Sequence, residues 1–136
     1  RIHVYEFHNG EHYSDYRSAY KFSCTYEVFK AGNQPVQQRC TNLPTNCMPQ
    51  FIHKITEDGK FVCKDLEELK ESMPSTYNFK KSIGVGSFYD VAIHNKDNNI
   101  IGFIAIHWFN KTNMKTDEDT IKQLVWYVEE HLLNSK

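Results

Sequence analysis

The sequence contains no apolar run near the roughly 18 residues that a bilayer-spanning helix needs, and it has no excess of charge of either sign. Its 16 basic and 17 acidic residues are spread along the chain, for a net charge of −1. Without a basic patch there is no field to hold a polyanion, so nucleic acid is not an expected partner.

The chain also lacks the close cysteine pairs of redox and zinc sites. Its four cysteines are separated by 16, 7 and 16 positions, which matches no CxxC arrangement. Because the sequence shows no secretory signal, reduced thiols are expected. Cys24 and Cys63 are interpreted as small buried hydrophobes in or beside strands. Cys40 and Cys47 flank a loop, and a disulfide between them stays an open alternative.

What is present is enough apolar material for a core. Of the 136 residues, 40 % are hydrophobic and 14 % are aromatic, a composition well outside the disordered class. The length falls in the usual range of one domain. We therefore expect residues 1–136 to form a single globular domain.

Residue periodicity predicts five strands and four helical segments. In the second strand, strict alternation places Phe22 and Cys24 on one face, with Ser23 and Glu27 on the other. Pro49 is expected to shorten or break the first helix. The predicted strands cover 1–9, 20–31, 60–63, 87–94 and 100–109, and the predicted helical segments cover 44–53, 65–72, 75–81 and 117–134.

The order of these elements distinguishes two fold classes. The strand–helix alternation of a parallel doubly wound sheet is absent. A loop rich in Asn and Asp at 95–99 instead joins two strands as a hairpin. The sequence therefore predicts an α+β fold, with an antiparallel sheet of about five or six strands, short connecting helices and a C-terminal amphipathic helix.

The C-terminal half resembles a known family. A glycine turn at Gly86 leads into a strand that contains Val91-Ala92-Ile93, and Ile100-Ile101-Gly102-Phe103 follows the hairpin. These runs resemble the strands on either side of the hairpin in GAF-type domains, a PAS-related family of small-ligand modules. Ala92 stands where that family typically has proline. The resemblance implies a GAF/PAS-like antiparallel sheet and a sensory or ligand-binding role.

The N-terminal half is similar to a narrower group. Phe7-His8-Asn9-Gly10 ends the first strand, and an FHNG turn follows the first strand in GAF-like domains of phage and bacterial proteins. Such domains are often carried behind an N-terminal membrane helix. The resemblance implies a cytoplasmic domain of a longer phage or bacterial protein, attached to a membrane only through a segment upstream of Arg1. A soluble parent protein is the alternative.

Polar residues at the strand ends are the first candidate ligand-binding groups. His8 and Asn9 close the first strand, where their side chains can bond a ligand or can simply hold their own turn. Ser23 and Glu27 share a predicted strand face. That face lines a pocket if it is turned toward the helices, and it is ordinary surface if it faces water.

Two tyrosines and one cross-strand group complete the candidates. Tyr20 and Tyr89 can stack on a planar ligand or belong to the core. Asp90, His94 and His107 can converge, because facing residues on adjacent antiparallel strands lie about 5 Å apart. A metal site built from these three is not adopted, since no helical HxxxH pair supports it.

Three functions are compared. The preferred hypothesis is a non-catalytic domain that binds an unidentified small molecule in a pocket bounded by segments 10–19 and 32–53. Neither a phytochrome-type chromophore cysteine nor an NKxxD sequence is evident, so no cofactor is assigned. The second hypothesis is an interaction module that forms a homodimer through the C-terminal helix. The third, an enzyme that uses Asp90 with His107 or a cysteine, lacks a spacing that implies a nucleophile and its base.

Overall fold

The computed structural model describes residues 1–8, 21–111 and 118–133. Six strands pair antiparallel in one sheet, and three α-helices accompany it in this part of the chain. The predicted α+β class is confirmed. The strands are β1 (Ile2–His8), β2 (Lys21–Val28), β3 (Leu43–Pro44), β4 (Lys60–Cys63), β5 (Ser87–His94) and β6 (Ile100–Trp108). The helices are α1 (Pro49–Asp58), α2 (Pro74–Ser82) and α3 (Glu118–Tyr127), and α3 continues as a π-helical segment over Val128–Leu133.

The spatial order of the sheet is β3-β2-β1-β6-β5-β4, so the first and last strands along the chain lie side by side at its centre. β5 and β6 form the predicted hairpin. In its loop, the Asn95 side-chain oxygen accepts bonds from the backbone N–H groups of Asp97 and Asn99, and Asn98 takes a φ of 63°. Asparagine tolerates both roles, which explains the composition of this loop.

Proline begins two of the helices, and this corrects the prediction for Pro49. The chain forms a 3₁₀ turn at Thr45–Cys47 and α1 then starts at Pro49, which therefore does not interrupt a helix. α2 starts in the same way at Pro74. Proline suits the first helical position because the N–H that it lacks would be unpaired there anyway.

A β-bulge in β2 changes the face that each side chain occupies, so the predicted alternation is wrong beyond Cys24. Val4 pairs with Tyr26 and Tyr5 pairs with Cys24, which leaves Thr25 as the extra residue. Cys24 and Tyr26 consequently belong to apolar clusters on opposite faces of the sheet. The sequence pattern carried no sign of this insertion.

The sheet is covered on both faces. The larger apolar cluster lies between one face and α1, α2 and the 3₁₀ turns, and it includes Phe22, Phe51 and Phe103. The smaller cluster lies on the other face, where Val4, Ile93 and Ile104 pack with Val128 of the π-helical segment. None of the helices in the described ranges is both long and apolar enough to cross a membrane.

All four cysteines have free thiols in this structure, and Cys40 and Cys47 are not paired. Cys24, Cys40 and Cys63 are buried, whereas Cys47 is exposed. The interpretation of Cys24 and Cys63 as buried residues of strands is confirmed.

Candidate ligand site

Lys80, Asp90 and His107 form a polar cluster inside the core. The Lys80 ammonium lies 2.5 Å from Asp90 Oδ2 and 2.8 Å from His107 Nε2. Lys80 is 1 % exposed, Asp90 0 % and His107 5 %. Lysine and aspartate are almost never buried to this extent unless they are paired, and a buried cluster of titratable groups is a candidate functional site.

Three elements bring these side chains together. His107 on β6 pairs with Phe88 on β5, two residues from Asp90, so His107 and Asp90 project from the same face of the sheet. α2 packs on that face and contributes Lys80, whose ammonium lies 4.3 Å from the centre of the Phe88 ring. The prediction that Asp90 and His107 converge agrees with this geometry.

A Schellman motif ends α2 just after Lys80. The N–H of Val85 donates to Lys80 O, and the N–H of Gly84 donates to Lys81 O. Gly84 has a φ of 82°, which strains residues with a side chain. The predicted glycine turn into β5 is confirmed, and it fixes the backbone of Lys80 relative to the start of that strand.

Burial and the ion pair together set the protonation of the cluster. Burial raises the pKa of Asp90 to about 6, and the Lys80 ammonium opposes that rise. Burial lowers the pKa of Lys80, which the Asp90 carboxylate opposes, and burial with the nearby Lys80 charge lowers the pKa of His107 well below its usual range. The 2.5 Å contact pairs the Lys80 ammonium with the Asp90 carboxylate, and the lowered pKa of His107 leaves that ring uncharged at neutral pH.

A second group of polar residues lies beside this cluster. The His3 ring contacts the His107 ring edge to face, with centroids 5.4 Å apart. His3 Nε2 is 2.7 Å from Glu27 Oε2, and His3 Nδ1 is 2.9 Å from the Tyr5 hydroxyl. Burial lowers the pKa of His3 to about 4 despite the Glu27 carboxylate. A neutral His3 that donates to Glu27 and accepts from Tyr5 satisfies all three side chains.

In and beside these two groups, three buried side-chain atoms have no hydrogen-bond partner in the described ranges. They are Arg1 Nε, Asp90 Oδ1 and His107 Nδ1. The Arg1 side chain lies in the same region, since its terminal nitrogens donate to Ile83 O and Gln34 O. Leaving a buried polar atom unpaired costs about 1–3 kcal/mol. Such atoms are rare in folded proteins, which marks this region as a candidate functional site.

A surface cleft lies next to a small space that Arg1 and His107 line. The outer cleft has a volume of about 290 Å³ and lies between the turn Gly84–Gly86, the 3₁₀ turn that begins at Leu66, and the end of β6 from Phe109 to Lys111. A passage of about 10 Å³ shares Gly84, Val85 and Phe109 with this cleft and is also lined by Arg1 and His107. Gly84, Val85 and Phe109 therefore form a wall common to both spaces.

Hydrogen bonds between backbone segments hold the cleft walls together. The N–H of Leu66 donates to Gly86 O at 2.8 Å, and the N–H of Gly86 donates to Trp108 O at 2.7 Å. The Ser87 hydroxyl donates to Asn110 O at 2.7 Å. Walls tied in this way are preformed, as small-molecule sites usually are.

Among the predicted residues, Glu27 joins the buried network through His3, but Ser23 does not. Glu27 pairs with His3 and Ser23 pairs with Glu6, three positions apart on β1, so the two side chains lie on opposite faces. The prediction that they share a face is wrong because of the β-bulge at Thr25. Glu27 Oε2 also accepts a bond from the Val36 N–H at 3.1 Å.

His8 and Ser23 contact each other near the edge of the sheet. His8 Nε2 lies 2.8 Å from Ser23 Oγ, which also accepts a bond from the Asn42 N–H at 2.8 Å. These residues do not reach the Lys80 cluster. Asn9 and Tyr20 lie outside the described residues, so their predicted roles stay predictions.

Tyr89 and His94 face the C-terminal helix instead of the cluster. The Tyr89 hydroxyl donates to Glu118 at 3.0 Å, and burial together with that carboxylate raises the pKa of Tyr89 to about 12. The His94 N–H donates to Glu129 at 2.5 Å. The predicted convergence of His94 with Asp90 and His107 is therefore wrong. In the described ranges, no three His, Cys, Asp or Glu residues are grouped so that they could hold a metal ion.

The space beneath α1, which is part of the region predicted as a pocket, is filled by aromatic rings. Beneath α1, Phe51 packs against Phe103 with ring centroids 5.3 Å apart, and Tyr5 stacks on Phe103 at 4.7 Å. Segment 10–19, the other predicted wall, lies outside the described residues. Sequence reasoning also missed Lys80, Arg1 and His3. The only signal for Lys80 was its position four residues after Thr76, on the side of α2 that is buried.

No protein-family model and no curated protein matches this sequence. Solved structures do match. A phycocyanobilin-bound GAF domain from a cyanobacterial phytochrome aligns with a TM-score of 0.66 and 13 % identity, over 96 % of this chain and 77 % of that one. A cyanobacteriochrome receptor PixJ structure aligns with a TM-score of 0.63 and 14 % identity, over 95 % and 82 %. At this identity the likeness establishes the fold, and the chain has a GAF-like fold.

Proposed function

We propose that this chain is a non-catalytic sensory domain that binds a small molecule, within a longer phage or bacterial protein. The observation that carries the proposal is the cleft at Gly84–Gly86, whose inner passage is lined by Arg1 and His107, two residues with unpaired buried nitrogens. A volume of about 290 Å³ is at the lower end of the range for small-molecule sites. The bilin-bound GAF neighbours support a ligand-binding role in general terms.

Restricted access favours binding over catalysis. The passage of about 10 Å³ has space for one water-sized group. Lys80 and Asp90 do not line it and are at most 1 % exposed, so the reacting carbon of a substrate could not approach either side chain.

The first experiment is a thermal-shift screen of nucleotides, cyclic nucleotides and small metabolites. A ligand at about 100 times its Kd should stabilise the fold by about 2.7 kcal/mol. The variant Phe109→Ala removes a half-exposed ring from the cleft and should abolish the shift. Tyr127→Ala, an exposed aromatic on α3 away from the cleft, is the control and should retain it. Saturable binding that Phe109→Ala leaves unchanged would place the ligand elsewhere and reject this cleft.

A second candidate function is homodimerisation through α3. Trp126 is 59 % exposed and Tyr127 is 51 % exposed, and large aromatics are enriched in the cores of protein interfaces. Trp126→Glu should shift a dimer to monomer in analytical ultracentrifugation. Val28→Glu, at an exposed apolar position of β2, is the matched control. A monomer at high concentration in the unmodified protein would exclude this function.

Attachment to a membrane through an upstream segment, with the domain in the cytoplasm, is a further part of the proposal. It rests on the FHNG resemblance of Phe7-His8-Asn9-Gly10. A tether would raise the local concentration and make weak self-association effective. The parent reading frame tests it: an upstream sequence without an apolar stretch of about 18 residues would exclude the anchor.

A further inference from the structure

The C-terminal helix carries a stripe of three exposed residues with opposite charges at its two ends. Trp126 is 59 % exposed, and Lys122 and Glu130, four residues before and four residues after it, are exposed as well. Residues four apart on a helix are neighbours on one side. Glu130 lies in the π-helical continuation of α3, where the turns are slightly longer, so it stays close to that side. We call Lys122, Trp126 and Glu130 the α3 stripe.

The charged ends of the α3 stripe are not paired within the chain. Neither Lys122 nor Glu130 forms an ion pair with another residue in the ranges 1–8, 21–111 and 118–133. The Trp126 ring contacts the His131 ring, with centroids 5.2 Å apart, and still keeps more than half of its surface exposed. The stripe therefore presents a large aromatic group between a cation and an anion.

The order of the charges selects the direction in which two such stripes can pair. Parallel helices would place Lys122 against the partner's Lys122 and Glu130 against the partner's Glu130, and like charges repel. Antiparallel helices with a two-fold axis at Trp126 place Lys122 against the partner's Glu130. A two-fold axis brings the same surface of both copies together, so this ion pair forms twice. The stripe is therefore complementary to a second copy of itself in the antiparallel direction.

We infer that two copies of this chain pair through α3 in antiparallel orientation, with both Trp126 side chains at the two-fold axis and a Lys122–Glu130 ion pair on either side. This inference rests on the homodimer given above as the second candidate function, and it adds the orientation and the contacts. A groove of about 380 Å³ lies beside the stripe, lined by Lys122 and Trp126 and by Tyr89 and Val91 of β5. It offers the partner's Trp126 a concave, partly apolar surface, as tryptophans at interface centres usually have.

The test reverses the two charges of the stripe, first singly and then together, and measures the dimer Kd by sedimentation over a concentration series. Lys122→Glu and Glu130→Lys each replace two attractions by two repulsions, so each alone should weaken the dimer roughly tenfold. The double variant Lys122→Glu/Glu130→Lys exchanges the charges and restores both attractions, so its Kd should return to that of the unmodified protein. In a parallel pair, the single variants would leave the number of like-charge contacts unchanged.

A matched control separates this pairing from an effect of net charge. Lys64→Glu makes the same change of net charge as Lys122→Glu at another exposed lysine, which follows β4 and does not lie on α3. It should leave the dimer Kd unchanged. Should a charge-reversed variant fail to fold, Lys122→Gln and Glu130→Gln provide the same test, because each removes both ion pairs without adding a like charge.

The outcomes distinguish the inference from the function on which it rests. Weakening in both single variants with recovery in the double variant supports the antiparallel pair. A dimer that the single variants leave unchanged, or that the double variant fails to recover, overturns the pairing and leaves the homodimer as a candidate function. Equal weakening by Lys64→Glu also overturns it, since net charge would then explain the effect. An unmodified protein that is monomeric at every concentration rejects both the inference and the homodimer.

Discussion

The ammonium of Lys80 lies 2.5 Å from the carboxylate of Asp90 in a part of the core where both side chains are at most 1 % exposed. Desolvation makes such a pair expensive, and its attraction offsets that cost only when the geometry and the surrounding hydrogen bonds are good. Asp90 Oδ1 has no partner in the described ranges, so this offset is incomplete. The pair therefore makes the core depend on both members being present.

Removal of one member should destabilise the fold strongly. Lys80→Met leaves a buried carboxylate without its cation, and we expect a loss of about 3–5 kcal/mol of unfolding free energy in urea denaturation. Lys81→Met is the matched control: Lys81 is an exposed neighbour paired with Glu67, and its loss should change the unfolding free energy little, because solvent screens exposed ion pairs. The double variant Lys80→Met/Asp90→Val should recover part of the loss. Equal costs for the two lysines would contradict the buried pair.

Acidification should destabilise the protein between about pH 6.5 and pH 4. His3, with a pKa lowered from 6.5 to about 4, and His107, also lowered, give stability that is present above the unfolded pKa and is lost as the pH falls. Asp90, raised from 3.8 to about 6, acts in the opposite direction and gives stability that is lost as the pH rises through 6. The two histidines act against the one aspartate, which leaves a net difference of about one bound proton between the unfolded and folded states. The unfolding free energy should therefore change by about 1.4 kcal/mol per pH unit near pH 5.

His3→Gln measures the contribution of one histidine to that slope. The variant should reduce the pH dependence by about one proton, because it removes a group that is neutral when folded and charged when unfolded at pH 5. Urea denaturation at pH 5, 6 and 7 gives the slope. His53→Gln, at an exposed histidine on α1, is the matched control. Stability that rises steadily on acidification from pH 6.5 would contradict the assignment of buried neutral histidines.

Gly86→Ala should disrupt the cleft by moving its walls apart. A Cβ at Gly86 would collide with the backbone carbonyl of Phe109, which cannot move aside as a side chain could. We expect a loss of about 1–3 kcal/mol or more, measured by thermal denaturation. The control is Gly32→Ala, where the left-handed φ also strains alanine but no atom lies within 4 Å of the added carbon. Similar losses in the two variants would show that the close approach at Phe109 is absent.

Thiol labelling should separate one cysteine from the other three. Cys47 is exposed, whereas Cys24, Cys40 and Cys63 are buried, and burial raises the pKa of Cys24 to about 12. Because the thiolate is the reactive form, a disulfide reagent should label Cys47 quickly in the native protein and the others only after denaturation. Mass spectrometry of labelled peptides identifies the sites. Rapid native labelling of Cys24 would contradict the packing of β2.

The fold was accessible from sequence because its signals are local. The strand-like runs of β5 and β6, the Asn-rich hairpin and the glycine turn at Gly84 each determine their structure within a few positions. The bulge at Thr25 could not be predicted from the sequence, because it arises from the pairing of β2 with β1 and does not alter the residue pattern of β2. That single extra residue places the side chains of Ser23 and Glu27 on opposite faces of the sheet.

Only part of the candidate site could be predicted from the sequence, for a related reason. Asp90 and His107 could be paired because neighbouring strands impose a register. Lys80 reaches the pair from α2, and the Arg1 side chain reaches the backbone after α2 from the start of the chain; such contacts between elements are not encoded by periodicity. That residues 1–136 form one domain stays a prediction.

The most direct measurement for the account is a high-resolution crystal structure of protein purified from cells, with attention to density in the cleft at Gly84–Gly86 and in its inner passage. The account predicts a non-protein molecule in the cleft. A cleft filled by protein side chains, with no space for a ligand, would contradict it.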